Sequence, residues 1–297
     1  GSGMQQLAQL EWYDRRGMLQ SEAAPIGSYR QVSLAPGGDR LAFTEGLTVW
    51  VRDLARGTAT RVTHDDEDHL FPVWSPDGKW LAVTTNRTAG SEIRRILATG
   101  LGDEELVVTL NQIAVVRSWS PDGRFLAFEA IGPGTEWDCW LYSFEDDEVR
   151  RVVGTRYTDR EMVFSHDSRW LAFMSTESGR AEVYVVPVGD QSRKWRVSTD
   201  GGRWTVWGPS GSAIFFTDLE NRLMVAPVRG NSDLEIGTPE VLFRLPEQPT
   251  PFGAFDFAGF AVAPDGRSFL LHHSPEKGRV ADSLVLLQNW HQELESR

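Results

Sequence analysis

Short runs in which apolar residues take every second position, or every position, recur along the chain, each cut off by a cluster of Ser, Pro, Asp and Gly. LFPVWSPDGKWLAV, Leu70 to Val83, shows the pattern: a hydrophobic approach, a Ser-Pro-Asp-Gly interruption and a second hydrophobic run. VVRSWSPDGRFLAF, Val115 to Phe128, repeats it. Alternation of that length between turn residues predicts β-strands joined by tight turns. Helical spacing is scarce; NWHQELESR, from Asn289, is the one stretch that predicts a turn or two of helix.

Aligned on the turn, the phrase occurs six times: VSLAPGGDRLAF from Val32, VWSPDGKWLAV from Val73, SWSPDGRFLAF from Ser118, VFSHDSRWLAF from Val163, VWGPSGSAIFF from Val206 and AVAPDGRSFLL from Ala261. The turn position falls at Pro36, Pro76, Pro121, His166, Pro209 and Pro264, at intervals of 40, 45, 45, 43 and 55 residues. A period of about 40–45 residues is that of a four-stranded propeller blade. Pro presets φ at the second turn position and Gly tolerates the left-handed exit. Trp74, Trp119, Phe164 and Trp207 stand two residues before the turn, with Leu34 and Val262 there in the outer copies, placed to fill the wedge between sheets. Third strands are predicted at Thr48, Cys139, Glu182, Arg222 and Ser283, and fourth strands at Thr58, Glu148 and Lys194. EIRRILATGL, blade two's third strand, is so charged that an exposed edge is expected.

The fold class predicted is all-β: a six-bladed β-propeller of four-stranded antiparallel blades, the last closed by both termini. LEWYDRRGMLQSEA, Leu10 to Ala23, has the layout of a third strand, turn and fourth strand, and so supplies what the sixth repeat lacks. Ring closure also leaves only short protected edges. The repeat units run over about 27–70, 71–113, 114–157, 158–202, 203–248 and 249–297, the last completed by 5–26; Gly1–Met4 reads as a cloning remnant.

Composition narrows the function. The net charge of −12 is the wrong sign for a general nucleic-acid backbone binder or for anionic membrane surfaces. No apolar run approaches the roughly 18 residues that cross a bilayer. With one cysteine, Cys139, a disulfide within the chain is ruled out, and so are zinc sites with several thiolates. An inert, half-buried thiol is expected there. G-x-S-x-G, G-x-x-x-x-G-K-[ST] and H-E-x-x-H are all missing.

Binding is therefore expected on loops displayed by the scaffold. The turn residues Asp77, Asp122 and Asp265 are read as turn formers. The linkers between blades, at the channel mouth opposite the turns, gather aromatic and Arg residues, the types enriched at interaction hot spots. The candidates are Tyr29, Arg30, His64, Asp66, His69, Phe71, Arg117, Tyr157, Arg160, Arg203, Trp204, Phe255 and Phe257. HDDEDH, His64 to His69, mixes imidazole and carboxylate as a divalent cation would want. Contiguous acids on an extended chain alternate direction, so a solvated loop is the expected reading and no cofactor is assigned, a divalent cation being the one alternative. His272 and His273 end a second strand; neighbours on a strand point to opposite faces, so at most one is expected to face the channel.

PVWSPDGKWLAV, RSWSPDGRFLAF and VAPDGRSFLL resemble the WD40-like repeat of TolB-like six-bladed β-propellers, over about Leu10 to Trp290. TolB binds partner peptides at its channel mouth, so the resemblance implies a non-catalytic propeller with a peptide or protein ligand. LEWYDRRG, SGRAEVYVVPV, KWRVSTDGG, GTPEVLF and SLVLLQNWHQEL look like the propeller regions that follow a membrane span in some bacterial receptor serine/threonine kinases. That implies an extracytoplasmic sensor, with any kinase domain on other chain. The alternative reading is a propeller hydrolase or lyase that uses a channel His and carboxylate, with or without a metal.

Overall fold

The structure, a computed structural model, describes residues 7–132, 136–190, 192–230, 233–246 and 259–275. The expectations for Gly1–Met4, for Phe255 and Phe257, for the strand at Ser283 and for the helix from Asn289 lie outside those residues.

Six antiparallel sheets form in chain order. Blade one is Arg30–Leu34, Arg40–Glu45, Thr48–Asp53 and Ala59–Arg61; blade two is His69–Trp74, Trp80–Arg87, Gly90–Leu97 and Glu105–Leu110. Blade three is Ala114–Trp119, Phe125–Ala130, Asp138–Ser143 and Glu148–Val153; blade four is Asp159–Phe164, Trp170–Ser175, Glu182–Pro187 and Trp195–Arg196. Blade five is Arg203–Trp207, Ala213–Thr217 and Arg222–Arg229, with its outer edge in two pieces, Glu235–Ile236 and Glu240–Arg244. The break falls opposite Pro227, which has no N–H to offer. Blade six joins Phe260–Val262 and Ser268–His273 to Ala8–Asp14 and Leu19–Gly27 from the other end of the chain. This is the predicted six-bladed β-propeller. Gln9 to Asp14 run against His273 to Ser268, so the third-strand place in blade six is taken by the N-terminal segment.

The turns form as their chemistry requires. Ser75 Oγ donates to Asp77 Oδ1 (2.6 Å), Asp77 Oδ1 accepts the Lys79 N–H, and Ser75 Oγ accepts the Trp80 N–H. Ser120 with Asp122 and Ser165 with Asp167 repeat the arrangement. In blade four Ser168 replaces Gly with φ at 60°, a left-handed position that costs a non-glycine residue roughly 1–2 kcal/mol. Its hydroxyl accepts the Asp122 N–H of blade three at 3.0 Å, which offsets part of that cost.

The apolar core is not one body. It is divided into six clusters, one at each contact between neighbouring blades. Alternation along the second strands explains the division. Leu81 and Val83 pack against Ala35 and Ala42 of blade one, whereas Ala82 between them packs against blade three. Leu171 and Phe173 face blade three, and Trp170 and Ala172 face blade five. A one-residue register slip would exchange every assignment. The residues two before the turns fill these wedges as expected: Trp74, Phe164 and Trp207 are buried, and Trp74 donates its indole N–H across to the Ser33 carbonyl. Blade two's third strand is paired on both sides, so it is not an exposed edge; Arg94 and Arg95 are ion-paired to Glu92 and Glu105.

The closing seam carries its own polar contacts. His273 Nε2 lies 2.9 Å from Glu11 Oε2, and Tyr13 and Gln9 donate to the same carboxylate. His272 donates Nε2–H to the Tyr29 carbonyl of blade one at 2.8 Å. Burial lowers the His272 pKa to about 4, so the folded protein holds a neutral ring. The unfolded chain takes up that proton below about pH 6.5, and stability is therefore lost as pH falls from about 6.5 to 4, by about 3 kcal/mol from this group. Denaturant titrations at pH 7 and pH 4.5 are expected to show a smaller pH difference in His272→Gln than in the parent. An equal difference in both would remove His272 as its source.

Candidate functional site

The inner strands surround the channel, and each of the first five carries a one-residue bulge. Gln31, Phe71, Glu161 and Trp204 hold the same place, five residues before the turn position, and all four have left-handed φ of 50–62°. At such a bulge the backbone N–H leaves its own ladder. The blade before it captures that group. Gln31 Oε1 accepts the Phe71 N–H (3.0 Å), Glu129 Oε2 accepts the Glu161 N–H (2.9 Å), and Glu161 Oε2 accepts the Trp204 N–H (2.5 Å). Between blades two and three, Thr84 Oγ1 accepts the Val116 N–H at 3.0 Å.

Above this waist, toward the turns, the channel holds a cavity of about 780 Å³. Its rim is made by the turn residues themselves: Pro36, Pro76, Pro121, His166, Pro209 and Pro264. Val73, Val163 and Val206, equivalent in their repeats, line the wall. Phe71, Arg117, Glu161 and Trp204 lie at the floor. The turns read from sequence as scaffold thus also frame this cavity.

The floor is electrostatically organised. Glu129 is fully buried and ion-paired to Arg117 and to Arg160, the latter at 2.8 Å. Burial pushes its carboxyl up, but the two guanidinium groups outweigh that and hold it below its ordinary range. Arg160 also lies over the Trp137 ring, 4.6 Å from its centroid. Glu161 differs: burial raises its carboxyl to about 7, against the opposing Trp204 N–H and Arg117 charge. The cavity therefore ends in one carboxyl that changes charge near neutrality beside a guanidinium ion-paired to Glu129.

The candidates from sequence divide. Phe71, Arg117 and Trp204 line the cavity floor, and Arg160 stands behind it through Glu129. Tyr29 is buried against Phe43 under the blade six–one seam, and Arg30 is half-buried at the start of its strand. Tyr157 pairs with Arg156, and Arg203 is exposed over Trp204. Asp66 is exposed; His64 contacts the Gly100 carbonyl. His69 is buried in a side cluster with Asp65 and Glu104. None of these last seven lines the cavity. Neither His272 nor His273 faces it, since both are buried in the seam. Cys139 is fully buried, more than the half-burial expected, and its thiol pKa is raised well up by burial and by the Asp159 and Glu129 carboxylates.

No family model matches the chain. It is 28% identical over 147 residues to the Tol-Pal system protein TolB of Desulfosudis oleivorans, covering 47% of this chain and 32% of that one. It is 23% identical over 212 residues to the uncharacterized peptidase YuxL of Bacillus subtilis, covering 54% of this chain and 32% of that one. The chain thus spans about a third of the length of each of these curated relatives. Among solved structures, one described as TolB from Agrobacterium tumefaciens superposes with a TM-score of 0.73 at 19% identity, covering 90% of this chain and 98% of that one. An oligogalacturonate lyase in complex with manganese superposes at 0.60 and 15% identity, covering 88% and 81%. The fold is that of a six-bladed β-propeller, and the chain is similar to TolB proteins in sequence over part of its length and in fold.

Removing one partner from a buried charge network leaves the others uncompensated. Glu129→Gln is expected to destabilise the protein by about 3–5 kcal/mol, read from urea unfolding. A loss under about 1 kcal/mol would mean that the Arg117–Glu129–Arg160 group carries no structural weight.

Proposed function

We propose that this propeller is a non-catalytic binding domain that takes an extended apolar segment of a partner protein into the turn-face cavity. The observation that carries the reading is the cavity itself: preformed, about 780 Å³, with apolar walls, a rigid proline rim and a few polar groups at its end. That is the ordinary construction of a ligand site. Its floor combines Phe71 and Trp204, aromatic anchors, with one open acceptor, Glu161. The TolB-like fold supports a protein ligand over a small molecule. The resemblance of LEWYDRRG and SLVLLQNWHQEL to receptor-kinase propellers suggests an extracytoplasmic sensor beside a kinase domain. The parent reading frame tests that context, through an upstream membrane span and kinase motifs.

The general acid–base range of Glu161 favours a second reading, a hydrolase or lyase, and the peptidase and lyase similarities point the same way. Against it, among the described residues no His–carboxylate pair lines the cavity; those found are His273–Glu11 and His69 with Asp65 and Glu104.

The test is selection of peptides from a random display library on the immobilised protein. Selected peptides are expected to bind Val73→Asp and Trp204→Ala at least tenfold more weakly, with folding retained by circular dichroism. Peptides with a basic tip are expected to bind more tightly at pH 8 than at pH 6, because Glu161 ionises between them, and Glu161→Gln is expected to abolish that dependence. Equal affinity for the parent and Val73→Asp would place the ligand elsewhere.

A further inference from the structure

Outside the channel, three segments bring one imidazole and two carboxylates together between blades one and two. Asp65 comes from the linker, His69 opens the inner strand of blade two, and Glu104 immediately precedes its outer strand. Their ligand atoms all lie within 4.8 Å of one another. His69 is fully buried; its Nε2 is 2.7 Å from Asp65 Oδ1 and 3.4 Å from Glu104 Oε1. Its other nitrogen, Nδ1, lies 3.2 Å from Thr85 Oγ1.

One N–H can serve only one of two carboxylates fully. Here Nε2 faces both, and the remaining oxygen of Glu104, Oε2, is buried without a hydrogen bond. Arg94 approaches that oxygen only to 3.9 Å and gives its Nε–H to Glu92. A divalent cation removes the competition for Nε2, because it takes one ligand atom from each of the three residues. Bonds of about 2.0–2.1 Å in tetrahedral geometry separate ligand atoms by about 3.3 Å, close to the His69–Glu104 spacing. The shorter contact to Asp65 opens without strain, because that side chain is 45% exposed. Thr85 supplies the outer hydrogen bond that fixes a ligating imidazole. The acidic run does not converge as a whole: Asp65 alone joins His69, and the third ligand comes from about 35 residues further on.

We propose that Asp65 Oδ1, His69 Nε2 and Glu104 Oε1 form a divalent transition-metal site, with Zn²⁺ preferred, that ties the linker between blades one and two to the outer part of blade two. A fourth position is left for water on the exposed Asp65 side. The site is separate from the channel cavity, and its failure would leave the binding reading untouched.

The test titrates Zn²⁺ into chelator-stripped protein by calorimetry and follows thermal unfolding in parallel. One Zn²⁺ per chain with a micromolar Kd is expected, and a melting temperature that rises with Zn²⁺ concentration. Mn²⁺ is expected to bind more weakly. Asp65→Asn and Glu104→Gln keep the shape of the side chains, and each is expected to weaken Zn²⁺ at least tenfold. Asp65 is exposed enough that its variant keeps the folded melting profile of the stripped parent. Zn²⁺ binding weaker than 1 mM, or binding of equal strength in the Asp65→Asn/Glu104→Gln double variant, would overturn the proposal and leave a simple hydrogen-bonded cluster.

Discussion

The channel depends on backbone N–H groups that the inner strands turn out of their own sheets. A bulge at Phe71, Glu161 and Trp204 aims each of these donors at the preceding blade, where Gln31, Glu129 and Glu161 accept it. A buried N–H without a partner costs about 1–3 kcal/mol, and left-handed φ at a non-glycine residue adds to that. The side-chain acceptors make the conformation tenable. They also fix each blade's height and rotation relative to its neighbour, so the geometry of the cavity floor and the cohesion of the ring have one cause. Glu161 takes part twice, donating its N–H to Glu129 and accepting from Trp204, and is the link through which floor chemistry and blade packing meet.

Apolar packing works at a coarser level. With six cores, each between two blades, no blade buries its faces alone, and the last contact has to be supplied by residues from opposite ends of the chain. The strand pairing of Gln9–Asp14 with Ser268–His273 does this, reinforced by the Glu11 group and by the His272 contact to Tyr29. Opening that seam exposes the cores on both sides of blade six.

The ring was legible in the sequence because each blade repeats a turn with strict chemistry: Ser, Pro, Asp and Gly at fixed offsets, followed by a run whose alternation serves two interfaces. Blade number, the shared last blade, the wedge residues and the turn role of Asp77 and Asp122 all followed from that. The floor was harder. A bulge inserts one residue without altering composition, so QVSLAP, FPVWSP, EMVFSH and WTVWGP give little local sign of it. Their common signal is the residue five before the turn, visible only once the copies are aligned. Glu129 had a clearer mark, a charge at the end of the apolar run FLAF, in the region where other second strands carry Thr44, Thr85, Ser175 and Thr217. Loop residues fared worst. Tyr29 and Tyr157 are of types suited to binding, but type alone does not say which face a linker side chain takes, and Glu104 joins His69 through a long-range contact that no local spacing encodes.

The cavity is then a consequence of the scaffold: rigid prolines at the rim, valines on the wall, and a floor held by blade-to-blade hydrogen bonds and by the Arg117–Glu129–Arg160 group. Such a site is preorganised, and a ligand entering it meets little cost of ordering the protein. The most direct measurement is residue-resolved amide hydrogen exchange in the ligand-free protein. If the waist bonds hold the channel open as described, the Phe71, Glu161 and Trp204 amides exchange only through global unfolding, as slowly as those of the second strands. Exchange of these three amides at the rate of the exposed linkers would contradict the account.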